Sequence, residues 1–399
     1  MTTDNCSRGA LRLQKESSDP FSGKPWAVAA LAYVTAYGWF AVIALPLEIY
    51  EYIRAYHVDE WHASVFAGLE VTALAITAFA ISPSIGRRNK RALCVGGCLA
   101  TAAANVLSML PLPQPEILLT RVLAGAGFGI VVAATNALPV LSTQSARLFA
   151  LGQVALGVFG ASILALLPLA VDPFGLHGLF GFEAATALLT AALSILLPRG
   201  ILVTKALLRP TSYPRDGKVL GALASIFLFF LAQILVWSFA VQSGTARGIQ
   251  SAQVDSTLAW SQGVGIFGGL AAIAIGMRWK LRTPLTLGYA TTGLLSLLMY
   301  IPGSPRTFLV AALVIPFFII FVTPFILEVL AQLDAEGRVA STGGALINFG
   351  SGFAPLVAGG LAHTFGYETI GYVSCGIILL GLALIAPAAS PASRAHAVP

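Results

Sequence analysis

Gly86-Arg87-Arg88-Asn89-Lys90-Arg91 is a knot of positive charge set between two long apolar runs. Further along, Met277-Arg278-Trp279-Lys280-Leu281-Arg282 stands between two more. One offset carries Arg87 onto Arg278 and Arg91 onto Arg282, and the same offset carries Gly152 onto Gly343 and Gly175 onto Gly366. Landmarks that recur at one spacing indicate two halves built on one plan.

Outward from these knots the chain is nearly all apolar. Of its 399 residues 57% are hydrophobic and 10% charged, with a mean hydropathy of +0.84. A soluble domain carries roughly 25% charged residues, so this chain has too little charge to cover a surface in water. Lipid must be its solvent. A helix needs about 20 apolar residues to cross a bilayer. Segments 26–46, 62–82, 92–110, 116–139, 148–170, 178–198, 218–241, 254–276, 283–301, 307–331, 338–362 and 367–388 meet that length. Barrel strands would be about 9–11 residues with alternating polarity, which is not the pattern here.

The expectation is an all-α integral membrane protein with twelve transmembrane helices in two pseudo-symmetric six-helix bundles. These are 26–198 and 218–388, joined by a linker at 199–217 and flanked by tails at 1–25 and 389–399. The formal charge of +6 invites a nucleic-acid reading, but its distribution excludes one. With the N-terminus placed inside, every Lys and Arg falls on the inner side except Arg54, Arg247 and Arg306 outside and Arg121 within a span. That asymmetry is the positive-inside rule, so both termini are expected in the cytoplasm. Compact loops and short tails fit a bacterial inner membrane, with the first span as the address because residues 1–25 lack a cleavable apolar core.

Few charges enter the spans, and those few carry the functional candidates. Glu70 lies about 12 Å below the outer end of its helix at 1.5 Å per residue. A carboxylate there costs about 2.5–3.5 kcal/mol unless it faces protein or water. Arg121 cannot shed its charge, so an anion must face it: Glu70, Glu48 or a substrate carboxylate. Snorkelling of Arg121 to the surface and a purely structural Glu70 are the competing readings. Glu48 and Glu51 follow Pro46 and are placed at the outer end of the first span, at the rim of a cavity or in a polar loop. Tyr37, Asn136, Gln233, Trp237, Gln262 and Asn348 are the remaining candidate substrate or proton residues. Glu183 is assigned a structural or a loop-pairing role. Cys94 and Cys98 are read as packing residues; no metal and no cofactor is expected.

Gly86-Arg87-Arg88 resembles the end of the loop signature of the major facilitator superfamily, Gly-x-Leu-(Ala/Gly)-Asp-Arg-x-Gly-Arg-Arg. The Asp and Arg of that signature fall on Pro83 and Ser84 and are lost. Arg121-Val-Leu-Ala-Gly125-Ala-Gly127-Phe-Gly129 is similar to the family's fourth-helix pattern. The Gly-Pro motif of its drug antiporters is absent, since Gly160 is followed by Ala161. The resemblance implies a cavity lined by spans 1, 4, 7 and 10 with 2, 5, 8 and 11. Gly86, Arg87, Arg88 and Arg91, echoed at Arg278 and Arg282, are read as a cytoplasmic gate or as a topology signal that orients the chain.

The function expected is secondary transport of a small organic solute by alternating access, coupled to protons. Arg121 favours an organic anion or aromatic acid; the alternative is a proton antiporter that exports drugs or lipophilic and cationic metabolites. The partners expected are solute, protons and the bilayer, with the protein working as a monomer. A passive channel and a non-transporting receptor stay open. An enzyme is disfavoured because His57, His62, His177, His363 and His396 are scattered, and no Gly-x-x-x-x-Gly-Lys-(Ser/Thr) loop is present.

Overall fold

The computed structural model describes residues 19–142, 144–200, 216–276, 279–333 and 338–389. Most of both tails, linker residues 201–215 and Arg278 lie outside the described residues. What is described is helical. The first span is Pro25–Tyr37 continued by Phe40–Tyr56, and the second to fourth are Glu60–Ile81, Lys90–Ser108 and Gln114–Ala137. Fifth and sixth form Ser145–Ser194, interrupted at Gly175. The seventh is Gly217–Ser238 continued by Ala240–Thr245. Ser251–Gly276, Arg282–Tyr300, Pro305–Leu333, Arg338–Phe365 and Tyr367–Ile385 complete the twelve. Among the described residues ten helices are long and apolar enough to cross a membrane. One of these holds two spans, and Arg282–Tyr300, of 19 residues but less apolar, is the twelfth.

The expected boundaries are corrected in two places. The first span does not stop at residue 46 but runs on to Tyr56, with Pro46 inside it. Proline is tolerated in membrane helices because neighbouring helices satisfy the carbonyl it frees. The chain between fifth and sixth spans has no loop at all. It reverses at Gly175, whose φ of +56° is open to glycine and strained for other residues. Gly366, its partner in the repeat, has φ +83° and joins the eleventh span to the twelfth.

The glycines of the fourth span fix its packing. A Cβ at Gly125 would run into the carbonyl of Glu70 on the second span, and one at Gly129 into that of Leu74. Without a hydrophobic drive between helices in lipid, such backbone approach is what makes spans associate. Across the halves, Gly359 of the eleventh span meets Ser64 in the same way, and Thr72 donates to the Gly352 carbonyl at 2.8 Å.

The bundle has a basic end, with Arg87, Arg88, Lys90, Arg91, Arg199, Lys218, Lys280 and Arg282, and a far end. At the far end the halves are bonded together. Tyr367 donates to Glu60 Oε1 at 2.9 Å, and His363 Nδ1 is 3.9 Å from Asp59 Oδ2. Asp59 also caps the second span, accepting from the His62 N–H at 2.9 Å. That backbone hydrogen bond, with the His62 and His363 rings beside it, holds the Asp59 carboxyl below the usual range.

Candidate functional site

Among the described residues Arg121 is the largest fully buried side chain, and its surroundings form the site. Its Nη1 donates to Glu70 Oε2 at 3.2 Å and lies 3.4 Å from Glu183 Oε2. Nη2 donates to Asn105 Oδ1 at 2.8 Å and to Ser108 Oγ at 2.7 Å. The guanidinium carbon sits 4.5 Å from the centre of the Phe180 ring, a cation–π contact strengthened by burial. Glu48, 1% exposed, lies in the field of Glu183, Glu70 and Arg121. Tyr52, one turn further along the same helix, is in that field as well.

Five spans supply these groups. Glu48 and Tyr52 come from the first, Glu70 from the second, Asn105 and Ser108 from the third, Arg121 from the fourth, and Phe180 and Glu183 from the sixth. The close approach at Gly125 brings the backbone of Glu70 against the fourth span one turn from Arg121, so the packing of glycine places the ion pair. Unpaired, a charge at this depth would be costly; paired, it binds the helices of the first half together.

The charges do not balance. One guanidinium faces three carboxyl groups. Both oxygens of Glu48, Oε1 of Glu70 and Oε1 of Glu183 are buried without a hydrogen-bond partner. An ionised carboxylate only accepts, whereas a protonated one also donates. A sealed cluster of acceptors is therefore satisfied by adding protons, and each proton changes which carboxyl Arg121 must hold.

The sequence candidates divide sharply. Of the anions left open for Arg121, Glu70 is the one that contacts it, and Glu48 lies nearby. The rim position expected for Glu48 is corrected: the helix continues past Pro46 and carries it inside. Glu51, buried beside it in the same helix, is 3.3 Å from Arg54. Glu183, given a structural or loop-pairing role, lies within the cluster. Asn105 and Ser108 were not singled out; their one sequence signal is that they are polar and nearly one turn apart in an apolar run. Tyr37 is fully buried against Phe40, Phe128 and Phe159. Asn136 is exposed at the basic end of the fourth span, apart from the cluster.

Four candidates belong with the second half. Gln233 is 4% exposed and both its amide atoms lack partners. Trp237, one turn on, donates through Nε1 to the Val42 carbonyl at 2.8 Å. Gln262 packs against Gly157 and Gly160 of the fifth span. Asn348 is half-buried in the eleventh.

Two residues of the basic knot hold the end of the sixth span. Lys90 is fully buried and donates to the carbonyl of Gly200; its own N–H donates to the Arg199 carbonyl at 2.9 Å, and Arg91 Nε donates to that of Leu197. These are the open carbonyls beyond the sixth span, where cations also complement the helix dipole. Arg87 and Arg88 are exposed, the latter donating to Ser84 Oγ at 3.0 Å. Gly86 is half-buried, and Arg282 is exposed at the start of the ninth span.

No protein-family model and no curated protein matches the chain. Solved structures do. A POT family transporter in complex with 5-aminolevulinic acid aligns with a TM-score of 0.72 at 13% identity, over 94% of this chain and 98% of that one. A POT family transporter in complex with a thioalcohol-conjugated peptide gives 0.72 at 12%, over the same shares. A variant of a POT peptide transporter in complex with alafosfalin gives 0.73 at 14%, over 94% and 97%. At such identities the likeness is one of fold, and it extends over nearly all of each chain. An all-α, multi-pass integral membrane protein, this chain has the major facilitator fold.

Proposed function

We propose that the protein is a secondary transporter that moves a small organic solute by rocking its two six-helix bundles, and that the Arg121 cluster is its proton site. The observation carrying this reading is the buried excess of carboxyl groups: Glu48, Glu70 and Glu183 about one guanidinium. A substrate anion gains little there, because Arg121 already has more acidic partners than charge to give. The organic anion expected from Arg121 thereby loses its main support. The solute is assigned instead to the surface between the halves, where Gln233 offers an unpaired donor and acceptor. The basic end faces the cytoplasm, as the positive-inside rule requires, and the protein acts as a monomer.

The test begins with a ligand. Amino acids, dipeptides, organic acids and lipophilic cations are screened by thermal shift on the purified chain, since a ligand of the folded state raises the melting point. The best of them is then offered to proteoliposomes with a pH-sensitive dye inside. Proton coupling predicts a solute-dependent change in internal pH, lost in Glu70→Gln and in Glu48→Gln. Solute flux that ignores an imposed pH gradient would sink the reading. The excess of acid also favours a second one, exchange of an exported cation for protons. It is distinguished by the sign of the change, solute and proton then moving in opposite directions.

A further inference from the structure

Pro46 stands in the middle of Phe40–Tyr56 and has no N–H. In an α-helix the N–H of residue 46 would bond the carbonyl of residue 42. The Val42 carbonyl is therefore left open by its own helix, within a segment that is buried on nearly every side. Inside a membrane such a carbonyl must find a donor. It finds one in the other half of the protein. The Trp237 indole N–H reaches Val42 O at 2.8 Å, with the Ile43 carbonyl at 3.3 Å as a second acceptor.

The setting of this bond separates it from the links between the halves at the exposed far end. His363 and Asp59 are both exposed at the far end, where water competes for each of them. Tyr367 and Glu60 are only partly buried. Val42 is 9% exposed and Ile43 6%. Trp237 lies one residue before the end of Gly217–Ser238, at the break where the seventh span resumes as Ala240–Thr245. It is held there as part of the same core as the first span. Separating the halves at this level strands an acceptor on one side and a donor on the other, with Gln233 unpaired one turn away.

We propose that Trp237 is a latch, and that Pro46 exists in part to give it something to hold. The indole closes the far end of the transport path by capping the carbonyl that proline sets free. Release of that bond accompanies opening. The proposal rests on the reading that the halves rock, and it makes a specific claim about two side chains. Replacing the indole with a ring that has no N–H weakens the closed state. Restoring the helix's own N–H at position 46 makes the indole bond unnecessary, so the second change cancels the first.

The experiment uses the full chain in lipid nanodiscs, with its own cysteines replaced. Spin labels are placed at Ala55→Cys and Arg306→Cys, both exposed at the far end. Distances between them are measured for the parent chain, Trp237→Phe, Pro46→Ala and the double variant. Loss of a buried hydrogen bond is expected to raise the ratio of long to short distances about tenfold in Trp237→Phe. In the Pro46→Ala background the same substitution leaves the ratio within about twofold of its own parent. A Trp237→Phe effect of equal size in both backgrounds would overturn the latch, as would no effect in either. One unchanging distance in every variant would overturn the rocking of the halves as well. Melting curves of the four proteins confirm that each is folded before distances are compared.

Discussion

Glu183 on the sixth span lies 3.4 Å from Arg121 on the fourth, although 62 residues separate them and the sixth helix is peripheral in the plan expected of this fold. A peripheral span thus reaches the charged centre of the first half. Glu183→Gln keeps the shape and removes one acid from an acidic excess. The expected result is a protein whose stability changes by less than about 1 kcal/mol, because an uncompensated carboxyl is lost rather than a needed one. Its proton uptake on acidification, measured by titration in detergent, should fall relative to the parent.

Arg121→Gln is the opposite case. It leaves three carboxyl groups with no cation. Breaking a buried pair by removing one partner costs about 3–5 kcal/mol. Protons can restore neutrality, so the loss should be smaller at pH 5 than at pH 8. Melting temperatures of parent and variant across that range give the answer; a gap that widens on acidification would contradict the charge balance described above.

Glycine substitutions should separate packing from mere conformation. A Cβ at Gly125 meets the Glu70 backbone, whereas one at Gly86 meets nothing within 4 Å. Gly125→Ala is expected to destabilise by about 1–3 kcal/mol, as overpacking does. Gly86→Ala should stay within about 0.5 kcal/mol of the parent. Denaturant midpoints in a mild detergent would compare them.

The basic knot gives a third contrast. Lys90→Met removes the donor that closes Gly200, and the stranded carbonyl should cost about 1–3 kcal/mol. Arg87→Ala, at an exposed position, should leave the melting point nearly unchanged. Equal effects of the two would mean that the knot acts through its total charge, not through its contacts with the end of the sixth span.

Asp59 supplies a pH dependence at the far end. Its carboxyl is held below 3.8 chiefly by the His62 backbone N–H, so the stabilisation it gives is present above that value. It is lost as pH falls through the lowered folded value. Asp59→Asn keeps the cap but not the charge. Its melting point should lie below that of the parent at pH 6, and the gap should narrow as pH falls below 3.8.

Much of this was written in the residues. Arg121 cannot be neutral, so a partner had to exist, and Glu70 was one of three anions the residues left open. The offset that relates Gly175 to Gly366 pairs two glycines that both take positive φ at corresponding turns. The misreadings have physical reasons. Pro46 looked like the end of a helix, yet a donor from another span satisfies the carbonyl it frees, and so Glu48 goes inside. Glu183 was legible in depth but not in direction, because which side of a lipid-bounded helix faces inward is decided by its neighbours. That Lys90 and Arg91 also cap a helix more than a hundred residues away is a tertiary fact that no local pattern shows.

The pairing of Glu70 with Arg121 has a consequence for how the protein is made. Arg121 follows Glu70 by 51 residues. At 5–20 residues per second of synthesis, Glu70 waits about 3–10 s for its cation. The second span therefore enters the bilayer with an acid that nothing yet answers. A nascent chain stopped after its second span should insert that helix less completely than the same chain with Glu70→Gln, as read from glycosylation-site mapping in microsomes. Birth order in this protein is then part of its chemistry: the early helices are held in debt of a charge until the fourth arrives, and a chain that loses the fourth is marked from within as unfinished.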